Sequence, residues 1–425
     1  MNKKIYSLLA VFACLAAVSC ANLLDQFSPS AISSGGVTGL DVPSVRIGMY
    51  NRVQNAPGYQ SYMIFDMLGG DVTSVNHSPI EIINNYLREG TSTQSQWNGY
   101  YAAIFQVNNT LSICEANPDA GMSVTAAGEA HYFRALLYLG LVTRFGDVPI
   151  LRKNTQEDLP RDPAADVWRF IDEELAAAKL ALGTSPSYYY VSKDAVQALE
   201  ARVRLYEGRN EEAAALAEEL IKSGRYRFDS FSKIFGIDHK SNSEAIFAFM
   251  NQTTESNITL GNQYYPYDYV NKGTGNYILT DEITDLFLSG DNRKPASVLN
   301  VGGRNCLNKY PSGQAGCDPL FISRLGELYL ISAEAQGYPA GVARLNELRK
   351  ARGLGPAPAS SPSTFLDAIL KERRLELLGE NHLFYDYVRT GRAVSALGIR
   401  ETQQLFPLPA EELRLNPKLV QNPGY

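Results

Sequence analysis

The sequence predicts a mainly α-helical protein, a scaffold of tetratricopeptide-like helical hairpins carrying an inserted loop-rich lobe. Three observations predict it. Apolar residues recur every three or four positions over long stretches, two short-linked helix pairs share one design, and between those pairs lies a long segment in which the helical period lapses.

At the N-terminus, Met1-Asn2-Lys3-Lys4 is basic and an apolar run from Ile5 to Val18 follows. That run is shorter than the roughly 20 residues a helix needs to span a bilayer, so 1–19 reads as a signal peptide. It closes on Ala17-Val18-Ser19-Cys20, small residues ahead of a cysteine, the context in which a lipoprotein peptidase cuts and leaves Cys20 as an acylated first residue. Residues 20–40 are polar and turn-rich (Asn22, Ser28, Pro29, Ser30, Ser33, Ser34, Gly35, Gly36), the composition of a linker between a lipid anchor and a folded body. A net charge of −6 gives no basic footprint, which argues against nucleic-acid partners.

From 41 to about 235 the period is helical. Ala126, Ala130, Phe133, Leu137 and Leu141 form one stripe, and Phe145-Gly146-Asp147-Val148-Pro149 stops that helix because Pro cannot continue it. Val167, Phe170, Ile171, Leu175 and Leu182 mark the next. An αα-hairpin follows at 192–207 and 211–223, joined through Gly208-Arg209-Asn210. Residues 236–318 are dominated by Gly, Asn, Asp, Tyr and Pro, apart from a short helix near Asp281–Leu288, and form the loop-rich lobe. In 319–425 a second hairpin runs from Leu328 through Gly337-Tyr338-Pro339 to Gly353. The interval from Gly208 to Gly224 recurs between Gly337 and Gly353.

Against this frame the chain resembles the SusD/RagB family of outer-membrane nutrient-binding lipoproteins. The resemblance rests on Cys20…Leu24-Asp25…Pro29, Trp97…Tyr100…Ile104…Asn108, and above all Gly128-Glu129-Ala130-His131-Tyr132-Phe133-Arg134-Ala135…Arg144-Phe145-Gly146-Asp147-Val148-Pro149. Asp291-Asn292-Arg293, Arg324 to Ala335, Leu345 to Gly353, Glu372-Arg373-Arg374…Glu376…Glu380…Asp386…Arg389 and Asn416-Pro417…Asn422-Pro423-Gly424-Tyr425 follow in the family's order. One departure is Leu383-Phe384, where an Arg usually precedes the aromatic; this removes an expected ion pair near Asp386.

The resemblance implies a SusD-like fold, a lipid-anchored protein on the outer-membrane surface, and capture of a nutrient, foremost an oligosaccharide or polysaccharide, for a SusC-like TonB-dependent transporter. A peptide ligand, as in a related branch of the family, is the runner-up; a protein-interaction scaffold and a glycoside hydrolase rank below it.

Charges on otherwise apolar helices, Glu129, Arg134, Glu327, Glu334 and the Glu372-Arg373-Arg374…Glu376 cluster, tolerate burial only when paired, and read as packing locks. Reading Glu372 and Glu376 as a catalytic pair fails on charge, because the flanking arginines would hold both ionised. No nucleophile elbow, phosphate loop or zinc motif occurs, and His77, His131, His239 and His382 have no ligand spacing, so neither a catalytic residue, a metal site nor a cofactor is assigned.

Binding residues are sought among the tyrosines. Tyr264, Tyr265, Tyr267 and Tyr269, with Tyr277 nearby, offer flat rings to the C–H faces of sugars, and Asn262, Gln263, Asp268, Asn271 and Asn276 supply a polar rim; the same rings could equally anchor the lobe. A second candidate loop lies around Asp71, Asn76 and His77, with Tyr59 upstream, and the resemblance implies ligand contacts from these two regions. Trp97 joins the candidates, although core packing suits it better, and Tyr188-Tyr189-Tyr190 could serve either role. Cys306 and Cys317 bracket a turn-rich stretch and are disulfide candidates in an exported protein; Cys114 sits on a helical stripe as a buried thiol.

Overall fold

The computed structural model describes residues 38–425, apart from 186, 236–241, 253, 255, 257 and 314–317. The signal peptide, the Cys20 lipid anchor, His239 and Cys317 therefore lie outside the described residues, and so does the Cys306–Cys317 pairing; Cys306 itself is buried.

The apolar stripes become an array of antiparallel neighbours. Helices α1 (Val42–Asn55), α2 (Thr91–Ala116), α3 (Ser123–Phe145), α4 (Ala164–Ala181), α5 (Lys193–Tyr206) and α6 (Asn210–Lys222) each pack on the next. Helix α7 (Leu325–Gln336) then lies against α6, and α8 (Val342–Ala351) and α9 (Pro362–Glu376) lie against α7. The array is thus continuous in space where the chain is not. The segment between α6 and α7 is an insertion between two touching helices, and the two predicted hairpins stack through α6 and α7.

Their matched glycines have a common cause. Gly208 and Gly224 of the first hairpin adopt φ of 74° and 70°, and Gly337 and Gly353 of the second 66° and 80°. Each ends a helix in the left-handed region that L side chains disfavour. A fixed glycine interval is therefore the sequence trace of a repeated helix-ending geometry.

The main core unites both halves. Phe133 of α3 packs on Phe247 and Phe249 with ring centroids 6.0 and 5.7 Å apart. Those two phenylalanines belong to strand β2 (Ala245–Phe249), buried throughout and paired antiparallel with β6 (Leu320–Arg324), with Phe249 opposite Leu320. The sequence reading missed this strand. A five-residue apolar run without alternation has no period to separate strand from buried helix.

Two further ladders shape the lobe. Strand β1 (Val72–Ser74) pairs with β3 (Tyr277–Leu279), and β4 (Val298–Val301) pairs with β5 (Arg304–Leu307) across Gly302-Gly303. Both glycines have positive φ, 56° and 85°, as a two-residue hairpin turn requires, so Gly-Gly between two short runs was an unused signal.

Every charge singled out in the sequence has a partner. Arg46 donates to Glu129 at 2.6 Å, Arg134 to Glu174 at 2.7 Å, Arg202 to Glu327 at 2.6 Å and Arg389 to Glu334 at 2.9 Å. Arg373 and Arg389 both reach Asp386 at 2.8 Å, so the Leu383-Phe384 departure leaves that carboxylate doubly paired.

Candidate functional site

The β1–β3 ladder joins the two loops that the sequence nominates separately. Val72 faces Leu279, Thr73 faces Ile278 and Ser74 faces Tyr277. The pairing continues as Val75 donates its N–H to the Asn276 carbonyl at 2.9 Å. Just beyond, the chain reverses: the His77 N–H donates to the Ser74 carbonyl at 2.8 Å, and His77 takes a φ of 52°. Asn76 and His77 consequently project into solvent beside the exposed Asn276.

On the lobe side the tyrosine cluster divides by burial. Tyr264 and Tyr265 are enclosed, as is Tyr277, whose backbone is held in the ladder. The Tyr265 hydroxyl donates to Asn308 at 2.5 Å, and its ring stacks on Tyr269 at 5.8 Å with the Lys272 ammonium 5.0 Å from its centre. Lys272 is pinned in turn by the Pro311 carbonyl at 2.7 Å. This stack forms a floor. Tyr267 is 65% exposed, in the same turn as the exposed Asp268 and Asn271, while Tyr269 is half-buried.

The turn carrying Tyr267 is strained. Val270 and Asn271 have φ of 56° and 55°, and a β-branched residue there is a conformational outlier, stable only where surrounding contacts enforce it. The N–H of Tyr269 donates to the Pro266 carbonyl and that of Lys272 to the Tyr269 carbonyl, closing the turn from both sides. Gly275 is the joint between the loops: a Cβ on it would lie 3.0 Å from the Pro266 Cα and 3.4 Å from the Arg304 guanidinium. Tyr267 adjoins Pro266, and Asn276 adjoins Gly275, so both loops meet at one edge with the exposed Arg304 of the β4–β5 hairpin. Arg304 was missed in the sequence together with its hairpin.

Asp71, also nominated, lies beneath this edge. It is fully buried and accepts from Arg374 of α9 at 2.6 Å, while Arg374 reaches out to Glu282 at 2.9 Å. Its role is to tie the loop to the scaffold. Trp97 is likewise closed off, its ring 5.0 Å from both Tyr101 and Phe145. Tyr59 lies half-buried against the main core.

The edge thus presents one exposed aromatic ring, a half-buried second, several side-chain amides and one guanidinium. Such a surface binds a hydroxylated ligand through C–H faces and hydrogen bonds. The buried Glu376 carboxylate offers no acid–base chemistry to it. Burial alone would raise the Glu376 carboxyl, yet Arg352 and Arg324 hold it well below the usual range, and no part of it reaches solvent. Among the described residues no group of His, Cys, Asp and Glu could hold a metal ion, and no helix is long and apolar enough to cross a membrane.

Comparison with known proteins bears on this arrangement. Residues 36–205 match the family described as starch-binding, associating with the outer membrane, and residues 304–401 match the SusD family. SusD-like protein P38 of Formosa agariphila is 26% identical, with 81% of this chain and 82% of that protein covered. A SusD superfamily structure from Bacteroides thetaiotaomicron is 25% identical with a TM-score of 0.79, covering 91% of this chain and 100% of that one. A laminarin-binding SusD-like protein shares the fold at 24% identity, with a TM-score of 0.75 and coverage of 91% of this chain and 99% of that one.

Proposed function

From the premise that the chain belongs to the SusD/RagB family, we propose that it captures an oligosaccharide or polysaccharide at the outer-membrane surface and hands it to a SusC-like TonB-dependent transporter. Proteins of this family bind without catalysing, and the chain is a binding protein, not an enzyme. Cys20 carries the lipid that tethers it.

One observation carries the ligand assignment: the β1–β3 ladder sets Asn76 and His77 beside Asn276, on the edge where Tyr267 stands exposed. A flat ring supplies the apolar half of sugar recognition. Amides on either side supply the directional half, because sugar hydroxyls both donate and accept as amides do. Tyr267, Tyr269, Asn76, His77 and Asn276 are the contacts proposed here. Tyr264, Tyr265, Tyr277 and Trp97 act behind them as support, since rings enclosed by protein have no face to offer.

Isothermal calorimetry of the folded body against neutral oligosaccharides, acidic oligosaccharides and peptides tests this. Saturable oligosaccharide binding without product release is expected. Binding confined to peptides would replace the ligand class, and release of reducing ends would replace the binding role with catalysis. For the partner, affinity purification of the lipidated protein from outer membranes should retain a barrel transporter; its absence would remove the delivery step.

A further inference from the structure

We propose that the cleft between α1 and the Tyr188–Tyr190 segment is a second saccharide subsite, selective for an uncharged sugar ring. It rests on the binding role proposed above and adds a site to it. The cleft has a volume of about 160 Å³, room for about one six-membered ring, since an apolar cavity of roughly 150 Å³ holds benzene. It shares no residue with the Tyr267 edge.

Its walls combine the two halves of sugar recognition. Tyr189, Tyr190, Ile47 and Met250 supply apolar surface, and Asn51 and Gln252 supply amides. Ile47, Met250 and Gln252 are exposed at the mouth. Among the described residues none that lines the cleft carries a charge. An anionic sugar or a charged peptide terminus would lose hydration on entering and find no counter-ion there, whereas a neutral ring exchanges water for C–H contacts and amide hydrogen bonds.

The cleft is also built in advance. The Tyr190 ring sits under the Arg46 guanidinium at 4.4 Å, and Arg46 is locked to Glu129, so the ring is fixed while its charge neighbour is already neutralised. The Tyr190 hydroxyl has no hydrogen-bond partner among the described residues. Tyr188 donates to the Tyr189 hydroxyl at 3.2 Å, and the Tyr188 carbonyl accepts from Ala248 at 2.9 Å, which pins the segment to β2. On the opposite wall Asn251 takes a φ of 55° and spends its amide on the Ile258 and Asp318 carbonyls at 2.9 and 2.8 Å. Two walls held rigidly around an uncharged aromatic gap lose little entropy when a ring enters.

The test is calorimetry and saturation-transfer NMR on the folded body with neutral hexasaccharides of glucose, xylose or mannose. Wild-type protein should bind two equivalents of a cognate hexasaccharide. Tyr189→Ala should remove one, and Tyr267→Ala the other. Gln252→Ala, at the exposed mouth where folding is unaffected, should weaken the Tyr189 equivalent at least tenfold. A single equivalent that Tyr267→Ala abolishes and both cleft variants leave unchanged overturns the second subsite while the capture role stands. Failure of wild-type protein to bind any hexasaccharide overturns both together.

Discussion

Arg352 and Glu376 meet at 2.8 Å with both side chains wholly removed from solvent, and the same carboxylate also receives Arg324 at 2.5 Å. Arg352 in turn holds Glu244 through both terminal nitrogens at 2.8 Å. Four elements, the start of β2, the end of β6, the end of α8 and the end of α9, are fastened at this point. The Glu376→Ala variant leaves at least two buried guanidiniums short of their carboxylate. It should therefore cost about 3–5 kcal/mol, the range for breaking a buried pair from one side. Chemical denaturation checks this, and a loss below about 1 kcal/mol, as for exposed pairs, would contradict it.

Arg134→Ala should destabilise by a similar amount for the same reason. Its removal leaves Glu174 buried with, among the described residues, only His131, 2.8 Å away, as a polar partner. Arg134→Lys should recover only part of the loss, because an ammonium cannot reproduce the forked contact to both carboxylate oxygens. Equal stability of the Lys variant and the wild type would show that the fork is irrelevant.

These partners mark the limit of what the residues alone disclose. That Glu129 and Arg134 must be paired follows from charge on an apolar stripe. Their partners, Arg46 and Glu174, come from α1 and α4, and only the packing of the array selects them. The helices, their glycine ends and the insertion were legible because each leaves a local period or a local turn residue. Strand β2 and the Gly302-Gly303 hairpin were not recognised, since short buried strands leave little periodicity and depend on partners far along the chain. The tyrosine cluster shows the same split. Rings of identical chemistry two residues apart differ in surroundings, Tyr265 packed against Asn308 and Lys272 and Tyr267 exposed to solvent, and their side chains alone do not distinguish them.

That split yields a paired prediction. Tyr267→Ala should leave the melting temperature within a degree or two of wild type and weaken oligosaccharide binding at least tenfold. Tyr264→Ala, at a ring 1% exposed, should cost about 3–5 kcal/mol, as truncation of a buried aromatic does. Thermal melts with calorimetry on both variants decide it. Reversal of the two phenotypes would mean the lobe is packed differently.

Acid acts on His382, Glu380 and Asp386 in two separate pH windows. His382 lines a cavity inside the scaffold, and burial pushes its pKa from 6.5 down to about 4. The unfolded chain then takes up this proton first, so the contribution of His382 to stability falls as pH drops from 6.5 to 4. Burial would raise Glu380 and Asp386, but Arg324 and Lys309 bring the first to about 2, and Arg373 and Arg389 bring the second to about 2. Their contribution is complete above the unfolded pKa near 4 and disappears as pH falls toward 2. Asp71 and Asp318, which burial raises to about 6, act in the opposite direction over the upper window, so the His382 contribution is read against a variant. Wild type should lose stability relative to His382→Gln as pH drops from 6.5 to 4, and melting temperature should decline below pH 4 in both. A wild-type-to-variant difference that stays constant from pH 7 to 4 would contradict this.

Hydrogen–deuterium exchange on the body saturated with a bound oligosaccharide addresses the joined-loop site most directly. Protection should rise together in residues 74–78 and 266–276, and Tyr267→Ala should abolish both changes at once. Protection in only one of these segments, or in neither while the sugar is demonstrably bound, would mean that the β1–β3 edge is not where the ligand sits.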